Sequence, residues 1–564
     1  MGLLFSSTVL FLASSIVSLV TASPLSSRSQ NLPKQWTFSE ILPSKHLTWY
    51  PCFSNFTCAM LDVPLDYTNP NLGRSYVPII RYAATTTPYK GMVLSNPGGP
   101  GGSGVAFLQE VIDLELQVVG SNYDLVSWDP RGIGASIPAA NCTLPSNLQK
   151  RSLEPLSGPE LAPIFFEASY NQSVEIGVAC QNSIGGPTQA GPHVTTAIVV
   201  RDVISIVDAH AASEQGRSCE NASLLNYWGF SYGTVIGQTF ASMFPNRLGR
   251  VILDGVVNPD DWIKGTAQNF VTNTDEVFST FFVYCNAAGP VNCPYYTGTT
   301  AHDIYLRFEA FVNSLSPISA YQNGWSNATA IEYFLTGIKL LIFGEIYSPI
   351  NGFPLIAQAL VAAESLLPDV TLAKLQQLEQ ELGVNLTAPP DVSSLWERAV
   401  LCTDTGGIEY GLTLPEVLTR LPKAESESWL AGEYILTQGI SCAGWPITSN
   451  YRYPGPFYAK TNNPILFVSN TLDMITPHQN GVNGTTRFSG SQLLTIEGIG
   501  HTSSATQNLC AFGKLNIFFQ TGKLPGKDNY CPLEAGPWNV TLPGPLSQLS
   551  DKRDIKEKFR GLLA

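Results

Sequence analysis

Gly229-Phe230-Ser231-Tyr232-Gly233 stands between an apolar run, Leu224–Trp228, and a stretch with helical character. The run has the composition of a β-strand, and G-x-S-x-G between a strand and a helix is a nucleophile elbow. So tight a turn strains the serine backbone, and glycines two residues to either side leave it room. It lifts the serine Oγ above the sheet edge and aims the next backbone N–H at a developing oxyanion. The pattern alone arises by chance in many chains; the strand before it and the helix after it give it meaning. Ser231 is the expected nucleophile, and the N–H of Tyr232 one oxyanion donor.

A nucleophilic serine needs a base and a group that orients the base, in the chain order Ser, acid, His. The histidines beyond Ser231 are His302, His478 and His501. His501 ends Glu497-Gly498-Ile499-Gly500-His501, just past the strand-like run Gln492–Ile496, where a loop can lower an imidazole onto the serine. His302 falls in a helical stretch, and His478, after Thr476-Pro477, reads as a residue lining the same loop region. Asp473 follows the strand-like Pro464–Ser469 and is the expected orienting acid, because its strand comes just before the His loop. Asp254 also ends a strand-like run, Arg250–Leu253, and is geometrically eligible; it reads as a structural carboxylate holding a turn.

The second oxyanion donor should come from a glycine-rich loop after an earlier strand. Asn96-Pro97-Gly98-Gly99-Pro100-Gly101-Gly102-Ser103-Gly104 follows the strand-like Gly91–Ser95 and fits, with Gly98 or Gly99 as donor. Losing one such donor typically costs about 10²–10³ in rate. The same loop matches G-x-G-x-x-G through Gly99, Gly101 and Gly104, with Asp124 downstream, which is a dinucleotide-binding fingerprint. That reading leaves the elbow, Asp473 and His501 unexplained. No lysine follows the glycines as a P-loop requires, and no H-E-x-x-H or C-x-x-C occurs, so neither cofactor nor metal is expected. Asp129 and Arg131, at another strand–loop junction, read as architecture, paired with each other or with nearby backbone.

Strand-like runs at Tyr76–Tyr82, Gly91–Ser95 and Asp124–Ser127 give way to a helical stretch at Thr196–Ala212, with Ile198, Val199, Val203, Ile206 and Val207 at helical spacing. Strand and helix then alternate, which implies a largely parallel sheet. From Pro259 to Tyr453 the chain reads as mainly helical, clearest at Leu355–Leu367 and Leu372–Leu382, and strand character then returns. The fold class expected is α/β, an α/β-hydrolase with a mostly parallel sheet. Its core comes in two parts, 47–258 and 454–564, around a mainly helical cap inserted over 259–453. Asp551–Ala564 carries Ile555, Phe559 and Leu562 on one helical face and is expected to dock on the core.

Charged residues make up 13% of the 564 residues and the formal net charge is −13, without the basic face that a nucleic-acid partner would want. Leu3–Val20 is mostly apolar and ends in Val20-Thr21-Ala22, which reads as a signal peptide over 1–22, although its start lacks Lys and Arg. A Ser/Pro/Gln-rich segment over 23–46 is expected to be mobile. No later stretch offers about 20 uninterrupted apolar residues; in Ala330–Ile350 the run is broken by Glu332, Lys339 and Glu345. Sequons at Asn55, Asn141, Asn171, Asn221, Asn327, Asn385, Asn483 and Asn539 agree with an exported, extracellular glycoprotein. So do the 11 cysteines. Their spacing suggests Cys52/Cys58, Cys285/Cys293, Cys402/Cys442 and Cys510/Cys531, with Cys142/Cys180 a looser pairing that leaves Cys219 over.

The ordered set of motifs resembles the secreted tripeptidyl-aminopeptidase-like and prolyl-aminopeptidase-like α/β-hydrolases, a group of serine peptidases. The likeness rests on Cys52…Cys58 with Val63-Pro64-Leu65-Asp66-Tyr67, on Asn96–Gly101, on Trp128–Gly132 and on Gly229–Thr234. It continues through Leu253–Val256, Cys402-Thr403-Asp404, Cys442…Trp445-Pro446, Leu472-Asp473…Thr476-Pro477 and Gly500-His501. It spans roughly 47–535, and the cap is least alike. The resemblance implies a triad of Ser231, Asp473 and His501. It also implies an exopeptidase that removes short peptides or single residues from a free N-terminus, whose amine cap carboxylates hold. Asp404 and Glu409 are candidates for that task. Relatives that hydrolyse esters or lactones of small metabolites make such a hydrolase the alternative. The expected partner is a short peptide or small molecule, with no membrane contact once the leader is removed.

Overall fold

Strands β4 (Met92–Asn96) and β5 (Asp124–Trp128) are buried at every position, as strands covered on both faces must be. They lie at the middle of a ten-stranded sheet in the computed structural model, which describes residues 34–144, 161–265, 270–315, 328–367, 377, 392–546, 549–559 and 562. The expected leader, the sequons at Asn327 and Asn385, and the helix expected at Leu372–Leu382 (Gln377 apart) lie outside the described residues.

The other strands are β1 (Tyr50–Cys52), β2 (Phe56–Pro64), β3 (Arg74–Tyr82), β6 (Leu225–Phe230), β7 (Leu248–Asp254), β8 (Ile465–Leu472), β9 (Gln492–Ile499) and β10 (Tyr530–Cys531). Their order is β1-β2-β3-β5-β4-β6-β7-β8-β9-β10. The first three strands join antiparallel, and β5 through β10 run parallel. The strand order reverses at β4, between β5 and β6, and in open α/β sheets ligands bind at such a switch point, outside the carboxyl ends of the strands. Asn96 pairs with Gly229, Phe230 with Asp254, and Asp254 with Val468, so the loops singled out by sequence leave the sheet along one edge.

β7 and β8 are neighbours in the sheet, yet the chain from 255 to 464 leaves it and returns. The described part is helical, including Thr274–Asn292, Ala301–Ser314, Ala328–Glu345, Pro349–Ser365, Val392–Asp404 and Gly432–Ala443. These helices build their own core around Phe278, Phe281, Phe282, Phe308, Phe353 and Trp429. Helical material is not confined to 259–453: helix Leu161–Ile184 lies against Gly432–Ala443, with Ser173 Oγ donating to Ile440 O at 2.8 Å. The C-terminal helix Ser550–Phe559 docks, but on the inserted helices and not on the sheet. Phe559 stacks on Phe278 and Trp429, and Glu276 receives Lys552 and Lys556 at 2.7 and 2.8 Å.

Residues 34–46, expected to be mobile, run along the sheet. Trp36 N–H donates to Pro51 O and Ser44 N–H to Met60 O, at 2.8 and 3.0 Å, and Ile41 is buried; apolar anchors in a polar stretch hold it down. The five suggested disulfides are present, and Cys219 is free. Asp129 and Arg131 are architectural but do not pair with each other. Asp129 accepts from Ser103 Oγ and Val105 N at the start of helix Gly104–Val118. Arg131 forms a buried pair with Asp202 and donates to Leu65 O.

Candidate active site

Ser231 sits between β6 and helix Gly233–Met243 with φ +54, the strained backbone an elbow requires. At Gly229 a Cβ would come within 2.6 Å of Gly233 O, so only glycine closes the turn. Gly98 (φ +89) packs its Cα on the elbow: a Cβ there would lie 2.5 Å from Phe230 O and 2.9 Å from Tyr232 N. The Gly98 N–H is committed to Asn96 Oδ1 at 3.0 Å. The N–H groups of Gly99 and Tyr232 make no hydrogen bond among the described residues. Of the two expected glycines, Gly99 therefore retains a free donor, and Gly98 shapes the approach of the two loops.

His501 follows β9 and Asp473 follows β8, and the two meet. His501 Nδ1 lies 2.9 and 3.0 Å from the two Asp473 oxygens. Asp473 is fully buried and also accepts from Ile475 N, Thr476 N, Thr476 Oγ1 and Thr502 N. Burial opposes its ionisation, but His501 and these donors outweigh burial and hold the carboxyl below its usual range. His501 Nε2 is buried without a hydrogen-bond partner among the described residues. Asn470 Nδ2 clamps the loop by donating to Gly500 O and Thr502 O at 2.9 and 2.7 Å. His478 is turned away, 2.9 Å from Thr495 Oγ1, and His302 lies on the outside of the insertion beside Lys558.

The insertion, expected as a cap, touches this edge through Tyr347, a residue the sequence did not single out. Tyr347 O accepts the N–H of His501 at 2.8 Å, and the two rings meet edge to face at 5.4 Å. Burial, and then the charges of Glu397 and Asp473, push the Tyr347 phenol well above its ordinary pKa. Glu397 likewise acts on Tyr434. Asp404 is not open to a ligand: it is buried and accepts from Thr196 N and Trp262 Nε1 at 2.8 and 2.9 Å. It also takes the Thr196 hydroxyl, which meets the Tyr232 hydroxyl at 2.6 Å. Glu409 is buried against Arg420. Both candidate amine ligands thus have partners already, and Asp404 braces the residue after Ser231.

A parallel sheet with a strained serine at its switch point, under inserted helices, defines an α/β-hydrolase of the serine-hydrolase class. Residues 428–531 match the family described as TAP-like protein. The chain is 26% identical over 518 residues to the tripeptidyl aminopeptidase of Streptomyces lividans, covering 87% of each. It is 26% identical over 514 residues to the serine protease Hip1 of Mycobacterium tuberculosis, covering 86% of this chain and 90% of that one. A carboxylesterase B of Mycobacterium tuberculosis is 24% identical over 498 residues, covering 84% and 86%. Over most of its length the chain is thus similar to TAP-like hydrolases.

Proposed function

We propose that Ser231 attacks the scissile carbonyl while His501 Nε2 takes its proton, and that Asp473 keeps His501 in the tautomer with the proton on Nδ1. The N–H groups of Tyr232 and Gly99 would hold the oxyanion. His501 then gives its proton to the leaving group, and water, activated by the same base, releases the acyl group from Ser231. The observation that carries this reading is the Nδ1 contact of His501 with Asp473 beside an unpartnered Nε2, at the edge where Ser231 stands.

The substrate proposed is a peptide with a free N-terminus. Peptidase names among the relatives support it, as does an acidic group, Glu397, in the inserted helices close to the Tyr347 that packs on His501. A carboxylate that binds the amine loses its ionic partner when the amine is acetylated, at a cost of several kcal/mol. A panel of free and N-acetylated mono-, di- and tripeptide chromogenic amides beside short acyl esters tests it. Strong selectivity for the free amine is expected; turnover of esters alone would replace the peptidase by an esterase of small metabolites.

Export is proposed as well, supported by five disulfides and by exposed sequons at Asn55, Asn141, Asn171, Asn221 and Asn539, with Asn483 half-buried. N-terminal sequencing and an endoglycosidase shift on secreted material test it. A chain retaining Met1 with no shift would overturn it.

A further inference from the structure

Asp254 is the last residue of β7 and is fully buried. Its carbonyl oxygen accepts the N–H of Ser231 at 2.9 Å, which ties it to the backbone of the nucleophile. Its carboxylate reaches in the other direction. Oδ1 accepts the N–H of Ser503 at 2.9 Å, and Oδ2 accepts the Ser503 hydroxyl and, at 3.2 Å, the Trp228 indole N–H. Ser503 lies two residues past His501, and Thr502 between them is held at φ +67. One residue therefore joins the strand end that carries the serine to the loop that carries the base. Gly255, next in the chain, faces the same loop: a Cβ there would come 3.2 Å from His501 Cε1 and 2.7 Å from Thr502 Cγ2.

Holding a turn does not account for this arrangement. A buried charge is costly unless it is paired as well as hydrogen-bonded, and Asp254, hydrogen-bonded as above, makes no ion pair with Lys or Arg among the described residues. Burial pushes its pKa up to about 6, against the Ser503 and Trp228 donors and the attraction of His501. The cation it faces is thus His501, which is positive only after it has taken a proton. The other titratable groups around His501 are Asp473 on Nδ1, Tyr347 against the ring, and Glu397 beyond Tyr347.

We propose that Asp254 is a positioning residue that fixes Ser231 relative to His501 and, as a second carboxylate beside Asp473, favours the imidazolium formed when His501 takes the serine proton. The inference rests on the triad reading given above.

The test follows labelling of the full-length protein by a fluorophosphonate, which needs no knowledge of the substrate. Titration to completion counts competent sites, and concentration series give the maximal labelling rate and the half-saturating concentration. For Asp254→Asn the maximal rate per competent site is expected to fall about 10–100-fold, the scale of a misplaced catalytic group, with half-saturation nearly unchanged. The acid limb of the labelling rate should also move to lower pH, because the imidazolium loses a nearby anion. If Asp254→Asn yields no competent sites, Ser503→Ala carries the test: it cuts the hydroxyl link and should lower the maximal rate per site without changing half-saturation. Fewer competent sites or a lower melting temperature, with rate per site and acid limb as in the wild type, would make Asp254 a structural residue only and overturn the proposal. The triad reading fails separately, if His501→Ala or Asp473→Asn labels at the wild-type rate.

Discussion

At the carboxyl edge of the sheet each candidate site residue hangs from the end of its own strand. The glycine loop leaves β4, Ser231 leaves β6, Asp254 ends β7, and Asp473 and His501 follow β8 and β9. The strand before each loop fixes it, so a few consecutive residues decide what the loop does. The inserted helices are organised the other way, by contacts between residues far apart in the chain. Asp275, at the start of helix Thr274–Asn292, accepts from Ser428 Oγ, Trp429 N and Leu430 N, and Phe278 stacks on Phe559. The difference teaches where damage should show: at the edge in chemistry, in the insertion in stability.

The largest effect expected is at the edge. Ser231→Ala should abolish fluorophosphonate labelling and lower turnover at least about 10³-fold, since nucleophile and base act as a unit. His501→Ala should do the same. His478→Ala, whose ring bonds Thr495, should change turnover by no more than about threefold, as substitutions away from the chemistry do. Melting temperatures of Ser231→Ala and of the wild type are expected to agree. A strong loss in His478→Ala with activity kept in His501→Ala would mean that the base was misassigned.

The insertion should behave in reverse. Asp275→Ala strands one hydroxyl and two backbone N–H groups in a buried place, and each lost partner costs about 1–3 kcal/mol. Unfolding by urea should show a loss of about 3–5 kcal/mol, while the labelling rate per competent site stays as in the wild type. A fall in that rate would break the comparison, and would show that packing of the inserted helices reaches the serine.

The same difference explains what was legible in the sequence. The sheet, the elbow and the meeting of Asp473 with His501 could be read, because a strand-like run followed by Gly, Ser, Asp or His carries its own geometry. The glycine loop was readable only as a loop: which N–H is free depends on the side chain of Asn96, two residues from Gly98. That Asp404 and Glu409, candidates for holding an amine, are already partnered could not be read, because Thr196, Trp262 and Arg420 come from other elements. Tyr347 carried no signal at all, since a helix-end tyrosine reveals nothing about the imidazole it meets. The packing of helix Leu161–Ile184 on Gly432–Ala443 was hidden for the same reason.

The smallest effect expected lies in neither region, in helix Gly104–Val118 under the sheet, and it sharpens the comparison by touching stability through pH alone. Glu115 is fully buried and neither carboxylate oxygen has a hydrogen-bond partner among the described residues. Burial pushes its pKa up to about 8. The folded protein therefore keeps this proton where the unfolded chain, with an ordinary glutamate near pH 4.5, gives it up. The stabilising effect of the bound proton is undiminished below pH 4.5, declines as pH rises, and is lost once pH passes about 8. Between pH 5 and pH 7 the decline is about 2.5 kcal/mol. Glu115→Gln has no proton to lose, so its unfolding free energy in urea, compared with the wild type at each pH, should improve from pH 5 to pH 7 by that amount. Labelling of Ser231 per competent site should not change at either pH. If wild type and variant lose stability in parallel between the two pH values, Glu115 is already ionised in the fold and the difference must come from other groups.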